Sequence, residues 1–85
     1  MITREDVARR IRDYLNHRIS LEELVRWAED VLIEESFEEP YVASIRDAVA
    51  RLGLADVRAF GLTWEDCEAI LDRLGYRAMV DIMKT

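Results

Sequence analysis

The sequence predicts a small, mainly α, four-helix domain over residues 1–85, with a short strand at the C-terminus left open. Three observations lead there. Apolar residues recur at three- and four-residue spacing in four separate segments. Three of those segments open on a serine or threonine followed three residues later by an acid. Two segments close on the same run, Arg-Leu-Gly followed by an apolar residue (Arg51 to Leu54 and Arg73 to Tyr76). The repeated ending reads as one stop chemistry used twice, not as an internal repeat.

The first helix is expected from a Thr3 cap to about Asn16. Glu5 and Asp6 lie in its first turn, where the helix dipole favours acids. Val7, Ala8, Ile11, Tyr14 and Leu15 form its inner side. His17 and Arg18 close it, and the short link that follows predicts an antiparallel neighbour.

The second helix carries most of the functional information. Ser20 and Glu23 have the spacing of a capping box, and Ile19 and Leu24 that of a hydrophobic staple. At about 100° per residue, Leu21, Leu24, Val25, Ala28, Val31 and Leu32 share the core side. Glu22, Glu23, Glu29, Asp30 and Glu34 lie opposite, with Arg26 among them. Glu35 would fall on the apolar side, so the helix should end near Glu34. Two residues break the pattern. Ile33 falls within the charged side, and Trp27 stands on its shoulder beside Glu23, Asp30 and Glu34. Either Trp27 covers the edge of the core and Ile33 is an isolated exposed isoleucine, or the two form an aromatic and aliphatic contact inside an acidic ring, the arrangement in which interfaces concentrate energy.

A third helix is expected from about Glu38 or Pro40 to Leu52, with Gly53 as its stop. Pro40 fits only a helix beginning. Residues 54–62 read as either a helical turn or a short strand. Thr63 opens a fourth helix with Glu65 and Asp66 in its first turn, Leu62 and Cys67 at staple positions, and Gly75 at its end. From Tyr76 to Met83 the period changes to two, which is a strand signal. Its partner would be residues 56–60 or a second copy of the chain, and an exposed apolar edge invites dimerisation.

Composition narrows the function. The net charge is −6, yet residues 22–39 alone hold eight acids and one base, and the remainder is near neutral. That field attracts basic partners and repels nucleic acid and anionic membrane, although a charged face also serves solubility alone. The eleven arginines are interleaved with acids and form no stripe, so nucleic-acid binding is not expected. The local excess at Arg4, Arg9, Arg10, Arg12 and Arg18 is expected to pair with acids of a neighbouring helix or a second subunit. A single cysteine excludes an internal disulfide and suits a reducing cytoplasm. Acids near the N-terminus interrupt any signal-peptide pattern, and no apolar run reaches membrane-span length.

No catalytic constellation is visible. His17 and Cys67 stand far apart, one at a polar helix end and the other on an apolar stripe. Metal spacing and a glycine-rich phosphate loop are lacking, so no enzyme activity, cofactor or metal is expected.

Two family resemblances follow from these residues. Ser20-Leu21-Glu22 is similar to the Asp-Ser-Leu attachment motif of acyl carrier proteins, but isoleucine stands where that motif has aspartate, and a serine cap accounts for Ser20. In size, helix content and concentrated acidity the chain also resembles small bacterial immunity proteins. That resemblance implies inhibition of a basic toxin by an acidic helical face. The paired tyrosines on a very short third helix, found in colicin nuclease immunity proteins, are not present. The expected function is thus a cytoplasmic module that binds a basic protein through Glu23, Trp27, Asp30, Ile33, Glu34 and Phe37. A structural homodimer is the alternative, and a carrier protein a distant third.

Overall fold

The computed structural model describes residues 1–34 and 36–84, with Glu34 described by its backbone alone. Four helices follow one another: α1 (Arg4–Leu15), α2 (Leu21–Glu34), α3 (Val42–Gly53) and α4 (Trp64–Arg73). The fold is a mainly α four-helix domain. No described helix is long and apolar enough to cross a membrane.

The predicted caps are in place. The Thr3 hydroxyl accepts the Asp6 N–H at 3.1 Å, and the Asp6 carboxylate accepts the Thr3 N–H at 2.9 Å. Ser20 and Glu23 make the same reciprocal pair at α2, and Thr63 and Asp66 make it at α4. Each box satisfies two amides that a helix start leaves without intrahelical partners.

Asp66 does more than cap. Its carboxylate also lies 3.2 Å from the Arg51 guanidinium of α3. The Thr63 N–H, together with its hydroxyl and Arg51, holds the carboxyl below its ordinary value of 3.8, against an opposing effect of burial. A depressed folded-state pKa stabilises above the unfolded value, and that contribution is lost as pH falls through the folded pKa. Asp66→Asn should therefore lower stability at neutral pH and give a shallower loss below pH 3.8. Urea midpoints measured across the acid range check this, and parallel acid limbs would refute it.

The core draws on all four helices. Val7 and Ile11 of α1, Leu24, Ala28 and Val31 of α2, Ile45, Val49 and Leu52 of α3, and Cys67, Ile70 and Leu71 of α4 form one buried cluster. α2 packs chiefly on α3 and only lightly on α1, despite the shorter α1–α2 link. Leu32 departs from expectation. It was placed on the core side but is 38% exposed. Val25 lies two turns earlier on the same side and is buried, so the cover over that side stops before the last turn.

The two Arg-Leu-Gly endings differ. Gly75 takes a left-handed φ of 89°, and Tyr76 N–H reaches Leu71 C=O at 2.9 Å, a Schellman stop. Gly53 remains inside α3, which ends instead through tight turn bonds from Leu54 to Arg51 and from Ala55 to Leu52. The second true Schellman stop is at α1. There His17 holds φ 60°, and Arg18 N–H bonds Asp13 C=O at 2.8 Å. A side chain in that region costs about 1–2 kcal/mol, which glycine avoids at the expense of a more flexible unfolded chain. His17→Gly should therefore raise stability by about 0.5–1 kcal/mol in urea denaturation. A loss would show that the exposed imidazole holds the turn.

The third helix starts at Val42, later than the Glu38 or Pro40 expected. The preceding linker is committed elsewhere. Ile2 N–H bonds Ser36 C=O at 2.8 Å, and Glu38 N–H bonds Ile2 C=O at 2.9 Å, forming an isolated parallel bridge between Ile2 and Phe37. Arg4 reinforces this join. Its guanidinium stacks 3.7 Å from the Tyr41 ring centroid, lies 3.7 Å from Glu38 Oε1, and donates to Leu74 C=O at 3.3 Å.

Neither proposed strand forms among the described residues. Residues 54–60 make successive turns, with Val57 bonded to Leu54 and Phe60 to Val57. Residues 76–84 take no regular secondary structure. The tail lost its intrachain partner when residues 56–60 turned instead of extending, and a lone strand cannot satisfy its own backbone.

Candidate partner-binding surface

The outer side of α2 is an acidic stripe bounded by apolar residues. Helical geometry sets Glu23, Trp27, Asp30 and Glu34 at successive steps of four, three and four, which keeps them within one narrow sector. Ile33 stands about 60° further round from Asp30, on the side where the exposed Glu22 and Glu29 also lie. Phe37 lies beyond the helix, in the linker that bridges to Ile2. Of the six predicted residues, Glu23, Trp27, Asp30, Ile33 and Glu34 belong to α2, and Phe37 belongs to the linker.

Their surroundings differ. Glu22, Glu29 and Asp30 are exposed. Glu23 is also exposed, but its carboxylate is engaged with the Ser20 N–H. Ile33 is 83% exposed. The side chain of Glu34, and Glu35 as a whole, lie outside the described residues. Trp27 is half-buried against the core, with the Arg10 guanidinium 5.3 Å from its ring centroid. Phe37 is likewise half-buried on the core, with Arg46 at 5.8 Å. Both aromatics therefore serve the core edge, and each carries a cation over its outer face.

Charge neutralisation is uneven. The arginines of α1 were expected to pair with a neighbouring helix. Arg9 instead pairs with Glu5 and Asp6 of its own helix, and Arg18 with Asp13. Arg4 pairs with Glu38 of the acidic region. Among the described residues, no ion pair forms to Glu22, Glu23, Glu29 or Asp30. Arg9 pairs locally because i,i+3 and i,i+4 neighbours are held in reach by the helix itself, and Arg18 is brought over Asp13 by the turn that ends α1.

Sequence reasoning missed three features. Arg10 beside Trp27 is one, and its signal was present: Arg10 lies between Val7 and Tyr14 on the flank of α1. The second is an exposed apolar edge on the 54–60 turns, made by Leu54, Val57 and Phe60. Arg51 holds this turn region in place, donating to Gly61 C=O at 3.0 Å and lying 5.8 Å from the Phe60 ring centroid. The third is a groove of about 740 Å³ between α1, α4 and the tail, lined by Ala8, Arg12, Leu15, Trp64, Leu71 and Val80 among others.

Reactive chemistry is limited in the described residues. Cys67 is buried in the core, and desolvation pushes its thiol up to about 11, with Asp66 adding to the shift and Arg51 opposing it. A thiol held protonated is a poor nucleophile and a poor ligand. No group of His, Cys, Asp and Glu side chains among the described residues is placed to hold a metal ion.

Comparison with protein-family models, curated proteins and solved structures finds no match to this chain.

Proposed function

We propose that this chain is a protein-binding module of the immunity or inhibitor type, which docks a basic protein on the outer face of α2. The observation that supports this reading is the uncompensated charge of that face. Glu22, Glu23, Glu29 and Asp30 are exposed and carry no ion pair among the described residues, and Arg26 is the single base that the face itself carries against them. Like charges held together raise the energy of the free protein, and a cationic partner relieves it. Ile33, exposed between Asp30 and Glu29, supplies apolar contact within the face. Trp27 borders the face and is already packed on the core, and Phe37 is packed on the core from the linker.

The test is a pull-down from native-host lysate at low and high salt, with an Asp30→Arg/Glu34→Arg variant as control. The expected result is a basic protein retained by the wild type at low salt and absent from the variant. Equal recovery by both proteins would reject the α2 face.

A further inference from the structure

The tail is the most exposed apolar segment among the described residues. Met79, Val80, Ile82 and Met83 are 81%, 70%, 92% and 78% exposed. From Arg77 onward no backbone hydrogen bond forms among the described residues. The start of the tail is anchored to the globule, where Ala78 packs against the core. Alternation places Tyr76, Ala78, Val80 and Ile82 on one side of an extended chain and Arg77, Met79 and Asp81 on the other.

We propose that residues 76–82 pair with the same residues of a second copy, as an antiparallel two-stranded ribbon whose two-fold axis passes through Met79. The charge pattern selects both occupant and register. With the axis at Met79, Arg77 of each copy stands opposite Asp81 of the other, so two opposite-charge cross-strand pairs form. On the other side Tyr76 opposes Ile82 and Ala78 opposes Val80. Moving the axis to Arg77 or to Asp81 sets like charges face to face. Moving it to Ala78 or Val80 leaves both charges opposite uncharged residues. The tail is therefore complementary to itself, in one register that also keeps its apolar sides together.

The same register completes the cover of the globule. In one chain Ala78 lies on the core while Val80 and Ile82 project away. In the ribbon, Val80 and Ile82 come opposite Ala78 and Tyr76 of the second copy. The bare half of each tail then meets the anchored half of the other, beside the groove between α1 and α4. This pairing involves no residue of the α2 face, so it stands independently of the proposed function.

Sedimentation velocity of the full chain, from micromolar to submillimolar concentration, tests the proposal. The expected species has twice the 10.0 kDa mass of the chain. Arg77→Asp and Asp81→Arg should each weaken the dimer by roughly tenfold or more, and the double exchange should restore it. All these positions are exposed, and circular dichroism verifies that the helices persist. A wild type that stays monomeric, a dimer indifferent to Arg77→Asp, or a double exchange that fails to restore pairing each overturns the proposal. Disulfide trapping provides a second reading. Met79→Cys should cross-link to itself on mild oxidation, because the two positions face each other on the axis. Met83→Cys should not, since its counterpart would lie about 26 Å away along the ribbon. Cys67 is buried and does not compete. Equal cross-linking at both positions would overturn the register.

Discussion

Reversing Asp30 and Glu34 to arginine should lower affinity for the basic partner by roughly 10- to 100-fold at low ionic strength, mainly by slowing association. The two substitutions replace negative charge with positive on a face where Glu22, Glu23, Glu29 and Asp30 form no ion pair among the described residues. Encounter between oppositely charged surfaces is accelerated by the long-range field, which salt screens over about 10 Å at 0.1 M. The wild type should therefore bind more weakly as salt rises, and the variant should show a much flatter dependence. Association rates measured by stopped flow across a salt series decide the matter. Unchanged rates would reject this face as the docking surface. Asp30 suits this test better than Glu23 or Trp27. Glu23 closes the α2 capping box, and Trp27 seals the core edge, so changing either one alters the fold along with the surface.

Leu24→Ala should cost about 3–4 kcal/mol of stability. Leu24 is fully buried and sits where α2 meets the common core. Truncation removes its apolar contact and leaves a cavity that three neighbouring helices cannot close without moving. A chain of this size is held by about 4–13 kcal/mol in total, so the loss is a large fraction of the whole. The melting temperature should fall by roughly 12–30 °C. Leu32→Ala, on the same helix, should cost under about 1 kcal/mol, because Leu32 already faces solvent in part. Equal costs for the two leucines in urea denaturation would show that α2 is rotated from the orientation described.

The candidate site was partly legible before any coordinates. The spacing of Glu23, Trp27, Asp30 and Glu34 is a property of helical geometry, and a capped helix start at Ser20 guarantees that geometry. Phe37 was not legible in the same way. Its place depends on Ile2, 35 positions earlier, reaching across to pair with the linker, and no local pattern carries such a pairing. The stop at Gly53 failed for a related reason. Glycine permits a left-handed residue but does not impose one, and here α3 runs through it into further turns. His17 adopts the left-handed position instead, and its identity alone did not announce it.

The existence of the helices, the three capped starts at Thr3, Ser20 and Thr63, and most of the inner stripes were determined by the sequence alone, because caps and apolar periodicity act between residues three or four apart. The acidity of the α2 face follows from the same periodicity. Tertiary structure decided which of those features remain available. It buried Val25 and exposed Leu32 on one side of one helix, set Arg10 over Trp27, and paired Arg9 with acids of its own helix and Arg4 with Glu38 of the linker. It also left the alternating tail without a strand to pair with. These outcomes depend on what lies opposite a residue in space, and that is settled only when distant segments compete for the same apolar surface and the same hydrogen-bond partners.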